Sequence, residues 1–509
     1  MNLLTPHTPD KLEKFRQPGG REQISFTVPA AKAALALGKN SSACNHCPMT
    51  GNTGNNDTGR YGPLAIGILF LIHAAPLQAA GPAAAMTNAW QKPDWLAEAS
   101  VAVKESYDNN VFAAGAKAGD LPTGYSVPPG SAVALRNNSS WVTTVSPKLG
   151  VNFAPLLGSN AVFQTLSLAY APDFVFYHNA TSESYHAHRF ATLVKGQAEA
   201  WSFNVDNSFT YIDGDKYAPT YPGAYLSAHG SAAPRERRKQ IQERAAVFIR
   251  HDWERWFVRP TAALLYYNLM TVQMNVTGYQ NYPSRSDVNG GVDGGCKLTP
   301  DFALTLGARY GSQWQQQFAF DPHSSPNDYQ RILFGFEGQP WKWLTVKFQA
   351  GPDFRQYAGD TATHITPVND RHPVKYYGEG SLTAAVSDKD AFAFKYKQWQ
   401  FVSSVGRLPY FESIYDLSYH RKLTRQLGLD LGGRIVKLDY TSSNLAKARQ
   451  RKDYDYSLTL GLTCDVNRHL SLFANNALEL GRNGAEGIPN AATREFNRNI
   501  VSLGAVLKF

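Results

Sequence analysis

Apolar and polar residues alternate with a period of two along most of the chain from about residue 96 onward. In Phe302–Tyr310 every even position is apolar, and the odd positions are small or polar. Trp201–Tyr211, Leu344–Ala350 and Tyr454–Val466 follow the same pattern. Because successive side chains of a strand point to opposite sides of the sheet, each segment is predicted to be a β-strand with one apolar and one polar face.

The length of these segments favours a membrane barrel over a soluble sandwich. By pattern many run for about 12–16 residues, whereas soluble strands have about 5–6 and a tilted membrane strand needs about 9–11 within the hydrocarbon. Aromatic residues also mark the segment ends, as they do at the two interfaces of a membrane barrel. These residues are Trp141, Trp201, Trp256, Trp341, Trp343, Tyr440 and Tyr454.

The connections between segments alternate between short and long, which is typical of outer-membrane barrels with short periplasmic turns and long outer loops. Tight turns are predicted near residues 253–255, 299–301, 339–340, 387–390, 423–425 and 467–469. Longer polar links are predicted over residues 108–138, 178–188, 214–243, 272–281, 317–327, 358–372, 441–451 and 484–494.

The predicted fold class is all-β, a transmembrane antiparallel up-and-down β-barrel of about 18 strands. An even number places both ends of the barrel in the periplasm. The link near residues 406–408 is short where a long one is expected, so a barrel of about 16 strands is the alternative. The predicted strands start near residues 96, 139, 161, 189, 201, 244, 256, 282, 302, 328, 342, 374, 391, 410, 427, 452, 470 and 495.

An export signal is predicted ahead of the barrel. Arg60 precedes the apolar run Leu64–Ile72, which is too short to span a bilayer permanently and ends in small residues, with Leu77–Ala79 as a cleavage motif. We therefore predict a signal peptide over residues 61–80 and the barrel over residues 81–509. The polar extension over residues 1–60 reflects a start codon assigned too early, a long basic region or a disordered tail. We favour the first explanation and exclude the extension from the mature fold.

Composition agrees with a barrel wall. Aromatic residues make up 12% of the 509 residues and charged residues 18%, below the roughly 25% of soluble domains. The mean hydropathy of −0.35 excludes a bundle of transmembrane helices. The net charge of +9 indicates a basic surface, an anion-attracting lumen or loops that bind lipopolysaccharide. Because the charge is scattered, nucleic acid is not a predicted partner. The run Arg235–Lys239 is predicted to be a solvated loop helix.

No motif predicts catalysis, a metal or a cofactor, so we predict a protein that is not an enzyme. Cys44 and Cys47 form a C-x-x-C without a partner pair, and Cys296 and Cys464 are predicted to be small lipid-facing residues. The glycine run over residues 289–295 has no following helix, and a strand of a wide lumen explains it better than a phosphate-binding loop.

The polar face of the strands is predicted to line the lumen. It carries both signs of charge, which either form cross-strand ion pairs along a solvated wall or create a zone of ion selectivity. The links over 108–138 and 214–243 are candidate plugs. The lumen-facing candidates are Lys148, Asp206, Asp293, Lys297, Arg309, Glu337, Lys347, Glu379, Lys395, Glu412, Asp416, Asp430, Asp455 and Asp465.

The last strand carries a candidate assembly signal. Val501, Leu503, Ala505, Leu507 and Phe509 share one face, and Phe509 is the terminal residue. A closing strand of this kind resembles the signal that the barrel-assembly machinery recognises in outer-membrane proteins. The alternative is an ordinary strand that ends in Phe.

Three stretches, Glu105–Phe112, Val145–Val151 and Leu503–Phe509, resemble the large porin-like β-barrels of Gram-negative bacteria. The resemblance covers the mature chain as an architecture and transfers no binding residue. It implies location in the cell outer membrane and passive passage or export of solutes. The implied partners are outer-membrane lipid, lipopolysaccharide, the barrel-assembly machinery and periplasmic chaperones, with a homo-oligomer as a further possibility.

The leading functional hypothesis is a porin-like channel for passive diffusion of small polar solutes. An export pore for an acidic exopolysaccharide is one alternative, although the inward acidic residues count against it because such a pore needs a continuous basic stripe. A plugged structural or adhesive barrel is another. An outer-membrane enzyme would require clustered His, Ser or Asp residues at a rim, and the sequence provides none.

Overall fold

The computed structural model of the chain describes residues 92–111, 113, 139–158, 162–215, 237–270, 284–316, 325–358, 372–402, 410–440, 451–483 and 495–509. These residues form 19 strand segments in one sheet. In chain order the segments are β1 (Leu96–Asp108), β2 (Ser140–Asn152), β3 (Phe163–Tyr170), β4 (Asp173–Tyr177), β5 (Tyr185–Ala198), β6 (Trp201–Asp213), β7 (Gln240–Asp252), β8 (Trp256–Leu269), β9 (Arg285–Thr299), β10 (Phe302–Gln315), β11 (Asn327–Trp341), β12 (Leu344–Tyr357), β13 (Val374–Ala385), β14 (Asp390–Phe401), β15 (Tyr410–Lys422), β16 (Leu427–Tyr440), β17 (Arg451–Asp465), β18 (Leu470–Asn483) and β19 (Phe496–Lys508).

The sheet closes into a barrel because β1 pairs antiparallel with both β2 and β19. The closing register runs from Ser100 opposite Lys508 to Asp108 opposite Ile500. β3 and β4 both lie between β2 and β5, so together they fill one position in the wall. Pro172 lies in the break between them and has no backbone N–H to donate to a neighbouring strand. The wall is therefore an 18-stranded antiparallel barrel.

The predicted fold is confirmed, with 18 strand positions rather than the alternative of 16. The short link after Phe401 joins two separate strands, although its length suggested otherwise. β5 and β7 begin at Tyr185 and Gln240, each four residues before the predicted start. At β7 the first inward residues, Gln240 and Gln242, are polar, so this end of the strand resembles a loop in sequence. The extension over 1–60 and the signal peptide over 61–80 lie outside the described residues.

The barrel has an apolar exterior. Along strands such as β10 and β11, large apolar side chains that remain exposed alternate with buried side chains that are mostly polar; Leu306, Phe334, Leu458 and Leu503 are 53–64% exposed. This arrangement reverses that of a soluble protein and suits a wall with lipid outside and polar groups inside. Within the described residues, no helix is long and apolar enough to cross a bilayer.

The two ends of the barrel differ in the length of their connections. One end, here called the turn end, carries short turns such as those at residues 253–255, 300–301 and 466–469, together with the first residue of β1 and the last of β19. Trp341 and Trp343 stack at this end, with their ring centroids 5.8 Å apart. The opposite end, here called the loop end, carries the long links. Charged side chains from distant strands meet inside the wall between these ends.

Candidate functional site

An ion-pair network links five strands on the inner face of the barrel. Asp293 of β9 lies between Arg259 of β8, at 3.0 Å, and Arg309 of β10, at 2.6 Å. Arg259 also donates to both carboxylate oxygens of Glu337 on β11, at 2.9 Å each. Arg250 of β7 reaches the same carboxylate at 3.4 Å. Asp293, Arg259 and Arg309 are nearly inaccessible to solvent, so these charges stabilise one another in a region of low dielectric.

A second carboxylate continues the network along the wall. Glu379 of β13 accepts hydrogen bonds from Gln349 Nε2 at 2.5 Å and from the Tyr377 hydroxyl at 2.6 Å. Lys347 of β12 is the cross-strand partner of Glu337 and is also buried. The structure thus brings five predicted lumen residues together. They are Asp293, Arg309, Glu337, Lys347 and Glu379.

The other predicted lumen residues are spread around the wall in smaller contacts. Lys148 pairs with Glu98 at 3.0 Å, and Lys297 pairs with Asp252 at 2.7 Å. Asp206, Lys395, Asp416 and Asp455 lie on β6, β14, β15 and β17, on the face opposite the exposed apolar side chains, and Lys395 and Asp416 are cross-strand partners.

The remaining three acidic candidates have hydrogen-bonding partners close by. Glu412 accepts a hydrogen bond from Trp399 Nε1 at 2.6 Å. His420 lies 2.7 Å from Asp430, and the Ser471 hydroxyl donates to Asp465 at 2.5 Å. These contacts fix each carboxylate along the wall without joining it to the network around Asp293.

Arginines stacked on aromatic rings form a layer that the sequence analysis missed. The Arg331 guanidinium lies between the rings of Tyr329 and Tyr377, 4.0 and 4.2 Å from their centroids. The Arg355 guanidinium lies 4.5 Å from the centroid of the Tyr329 ring, and Asp353 forms ion pairs with Arg331 and Arg355 at 3.2 and 2.6 Å. The odd positions of β11 place Asn327, Tyr329 and Arg331 on one face, which is the signal that would have identified this layer.

Inward glycines let these large side chains lie flat against the wall. A Cβ at Gly311 would come within 2.4 Å of the Tyr329 ring, and one at Gly307 within 2.4 Å of Asp293 Oδ1. A Cβ at Gly295 would meet the Phe257 ring at 2.1 Å. The glycine-rich stretch of β9 is therefore a packing feature of the inner wall, as the sequence indicated.

The end of β14 turns inward and narrows the lumen toward the loop end. This segment, Trp399–Val402, is here called the strap. Its carbonyl oxygens face the inner wall of β9–β12: Arg285 Nη1 donates to Val402 O at 2.9 Å and to the Tyr410 hydroxyl at 2.9 Å. Gln313 Nε2 and Arg355 Nη2 both donate to Gln400 O, at 3.0 and 3.1 Å.

Apolar packing holds the strap in the same place. Phe401 and Val402 are 1% and 0% exposed, and the Arg285 guanidinium lies 4.4 Å from the Phe401 ring. The strap therefore contacts inner faces far around the barrel from its own strand. The apolar residues packed with it are Leu265, Tyr267, Leu333, Tyr377, Tyr410 and Leu438.

The strap, which the sequence did not predict, occupies part of the lumen within the described residues. Most of the two predicted plugs, over 108–138 and 214–243, lies outside those residues, and Gln240–Glu243 belong to β7. The signal for the strap is the run Trp399-Gln400-Phe401-Val402, where apolar residues appear on the inward side at the end of a strand.

At residues 237–239, the described part of the basic run Arg235–Lys239, two of the three side chains are buried, which contradicts the predicted solvated helix. Arg237 and Arg238 are buried at the loop end and share the carboxylate of Glu183, at 3.1 and 2.8 Å. Arg237 also donates to the Tyr177 hydroxyl at 2.9 Å and to Val111 O at 2.6 Å. Local sequence could not reveal this burial, because the acidic partner lies more than fifty residues away.

The inward charges are segregated by sign around the barrel. We call the inner face of β7–β14 the basic wall, because its basic groups outnumber its acidic groups. Its acidic groups are Asp252, Asp287, Asp293, Glu337, Asp353 and Glu379. Its basic groups are Arg244, Arg250, Arg259, Arg285, Lys297, Arg309, Arg331, Lys347, Arg355, Lys375, Lys395 and Lys397.

We call the inner face of β15–β18 the acidic wall. Among the side chains that the structure describes on this face, carboxylates outnumber basic groups. The basic residues are Arg434 and, at the end of β15, Lys422. The carboxylates are those of Glu412, Asp416, Asp430, Asp453, Asp455, Asp465 and Glu479.

A closed antiparallel barrel with an apolar exterior and a charged interior defines the class of this protein. It is an 18-stranded antiparallel β-barrel of the transmembrane type. Among the described residues, no group of three or more His, Cys, Asp or Glu side chains is placed to hold a metal ion.

Solved outer-membrane proteins are similar to this chain in fold. OccAB3 of Acinetobacter baumannii is 11% identical, with 81% of this chain and 98% of that chain covered and a TM-score of 0.38. OpdK of Pseudomonas aeruginosa, solved with vanillate, is 12% identical with coverages of 81% and 98% and a TM-score of 0.37. OccK2 of the same species, solved in complex with glucuronate, is also 12% identical, with coverages of 81% and 98% and a TM-score of 0.37. At these identities the likeness concerns the general barrel architecture alone.

No protein-family model matches the chain, and no curated protein matches it.

Proposed function

We propose that this protein is a porin-like channel through which small polar solutes diffuse passively across the outer membrane. The observation that supports this best is the lumen itself, a charged inner wall narrowed by a strap that polar side chains hold in place. A wall of about 18 strands is wide enough for water unless a segment fills it. A strap that contacts part of the wall would narrow the lumen without closing it, which supports a restricted passage for solutes.

The charged residues support passage rather than catalysis. Asp293, Glu337 and Glu379 are held by ion pairs and hydrogen bonds to neighbouring strands. Groups fixed in this way shape the electrostatic potential that a passing solute meets. We therefore propose a channel without an enzymatic step.

Two alternatives make different predictions for the same lumen. Export of an acidic polysaccharide needs a continuous basic surface, and the acidic wall formed by residues such as Asp416 and Asp455 disfavours it. A structural or adhesive barrel requires an occluded lumen that conducts no ions.

We also propose the partners expected from sequence: lipopolysaccharide and lipid around the apolar wall, periplasmic chaperones, and an assembly machinery that recognises the face Val501, Leu503, Ala505, Leu507 and Phe509. A homo-oligomer is a further possibility for the same wall.

Single-channel recording in a planar bilayer tests the function. The purified full-length protein should give stable conductance steps, with ion selectivity measured from reversal potentials. A folded, heat-modifiable barrel that never conducts would contradict the channel and favour the occluded alternative. Strong anion selectivity, with passage of acidic oligosaccharides, would favour the export pore.

A further inference from the structure

Two prolines interrupt the backbone pairing between β2 and the segments β3 and β4. β2 pairs with β3 up to Leu149 and Tyr170, and its pairing with β4 begins four residues farther along both strands. The unchanged register places Pro147 of β2 opposite Pro172. Because proline has no N–H, neither residue can donate a hydrogen bond to the carbonyl of the other. The two neighbouring strands are therefore held less tightly at this level of the wall.

An apolar cavity of about 240 Å³ lies beside these prolines. Ala99 and Val101 of β1 line it together with Leu149, Tyr170 and Phe509, which follows β19. Leu149 and Phe509 are 49% and 59% exposed on the outward face of the barrel. The cavity therefore opens toward the lipid-facing side of the wall, next to the seam between the first and last strands.

Polar side chains close the same region on the lumen side. The Ser146 hydroxyl donates to Asp173 Oδ1 at 2.6 Å, and Arg189 forms an ion pair with the same carboxylate. Lys148, whose backbone borders the cavity, turns inward to pair with Glu98 at 3.0 Å. These fixed contacts lie between the cavity and the lumen, so the occupant of the cavity must come from the membrane.

We propose that this cavity binds one acyl chain of a membrane phospholipid. A small apolar cavity stays dry and takes up apolar ligands, and an unfilled cavity forfeits dispersion contacts along its lining. On the outward face of a transmembrane barrel, the surrounding medium is hydrocarbon. The bound chain contacts β1, β2 and β3 together and fills the wall beside the interrupted pairing. Because the site lies outside the lumen, the proposal does not rest on the channel function.

The position of Phe509 indicates which lipid supplies the chain. Phe509 lies at the turn end of the barrel, where its N–H donates to Ala99 O at 2.9 Å. With the short turns in the periplasm, as in outer-membrane barrels, this end of the cavity meets the leaflet that consists of phospholipid.

Native mass spectrometry of the purified full-length protein, incubated in detergent with dioleoyl phosphatidylethanolamine, tests the site. The wild type should retain one phospholipid at collision energies that remove loosely attached lipid. Ala99→Phe places a ring in the cavity, and Pro147→Val returns an amide donor opposite Pro172, which draws the two strands together. Each substitution should lower the retained fraction several-fold.

Ala308→Phe is the matched control, because it adds the same ring to the outward face of β10, away from the cavity, and should leave retention at the wild-type value. Heat-modifiability on gels shows that each variant is folded. A wild-type barrel that retains no phospholipid, or retains detergent in its place, would overturn the proposal. Equal retention by the wild type, Ala99→Phe and Pro147→Val would overturn it as well, since the lipid would then adhere to the wall in general.

Discussion

At the scale of single residues, the inner wall depends on charges that have left water and are compensated by a few fixed partners. Asp293 is the clearest case, since it is 2% exposed and pairs with Arg259 and Arg309. Removing one member of a buried ion group leaves its partners uncompensated, which costs more than the pair contributes. An exposed pair is screened by solvent and contributes little.

We expect Asp293→Ala to lower the free energy of unfolding by about 3–5 kcal/mol, because two buried guanidinium groups lose a shared carboxylate. Urea titration in lipid vesicles, followed by tryptophan fluorescence and by heat-modifiability on gels, measures the change. Asp439→Ala is the control, since Asp439 pairs with Lys437 near the solvent-exposed loop end and should matter little. Equal losses for the two variants would show that the buried network does not stabilise the barrel.

Two adjacent glycines of β9 provide a second residue-scale test. A Cβ at Gly295 would meet the ring of Phe257 at 2.1 Å, whereas one at Gly294 would meet Leu306 O at 4.0 Å on the outward face. Phe257 in turn supports the Arg250 guanidinium, 3.7 Å from its centroid. We expect Gly295→Val to cost about 1–3 kcal/mol through overpacking.

Gly294→Val introduces the same side chain one position away and should leave stability unchanged or slightly higher, because a β-branched residue suits an apolar strand face. The same urea titration compares the two variants. A loss at Gly294 as large as the loss at Gly295 would mean that the strand itself, rather than the inward packing, rejects the valine.

At the scale of elements, the strap shows where sequence reasoning succeeds and where it ends. Alternation in segments such as Phe302–Tyr310 fixes which face is inward, because a slip of one residue would put every apolar side chain on the wrong side. The same pattern placed Asp293 and Arg309 on one face. The pattern does not predict that Arg259 pairs with Glu337 or that Arg285 contacts Val402. Those contacts join strands that are far apart in the chain, and they depend on the curvature of the closed wall.

We expect Arg285→Ala to raise single-channel conductance, because the strap loses the donor to Val402 O and a cation that lies against Phe401. Gln313→Ala removes an uncharged donor to Gln400 O and should raise conductance without changing the charge of the lumen. The pair of variants therefore separates release of the strap from loss of a positive charge.

Arg421→Ala is the control for this measurement, because Arg421 is half exposed at the turn end and outside the lumen. Planar-bilayer recording of the wild type and the three variants gives the comparison. If Arg285→Ala changes only ion selectivity and Gln313→Ala changes nothing, the strap does not set the width of the passage.

At the scale of the whole molecule, the barrel exists only if its first and last strands meet. β1 and β19 are separated by almost the entire described chain, yet they pair over nine positions. A contact between such distant segments forms late and slowly, because the loop that it closes is long. The apolar face that ends in Phe509 lies on this closing strand, where Phe509 N donates to Ala99 O at 2.9 Å.

Engineered disulfides across the seam test closure directly. Val103 and Ala505 are cross-strand partners on the outward face, so their Cα atoms should lie about 4.5–5.5 Å apart, a separation that a disulfide can span. With the four native cysteines replaced by serine, Val103→Cys, Ala505→Cys should oxidise in outer membranes and shift the mobility of the heated, non-reduced chain. Val103→Cys, Leu472→Cys should not, because Leu472 is the partner of Ala505 on the far side of β19 and two strand spacings amount to about 9–10 Å. Crosslinking of the second pair without the first would mean that β18 rather than β19 meets β1, and a barrel built on that register would have to exclude its own last strand.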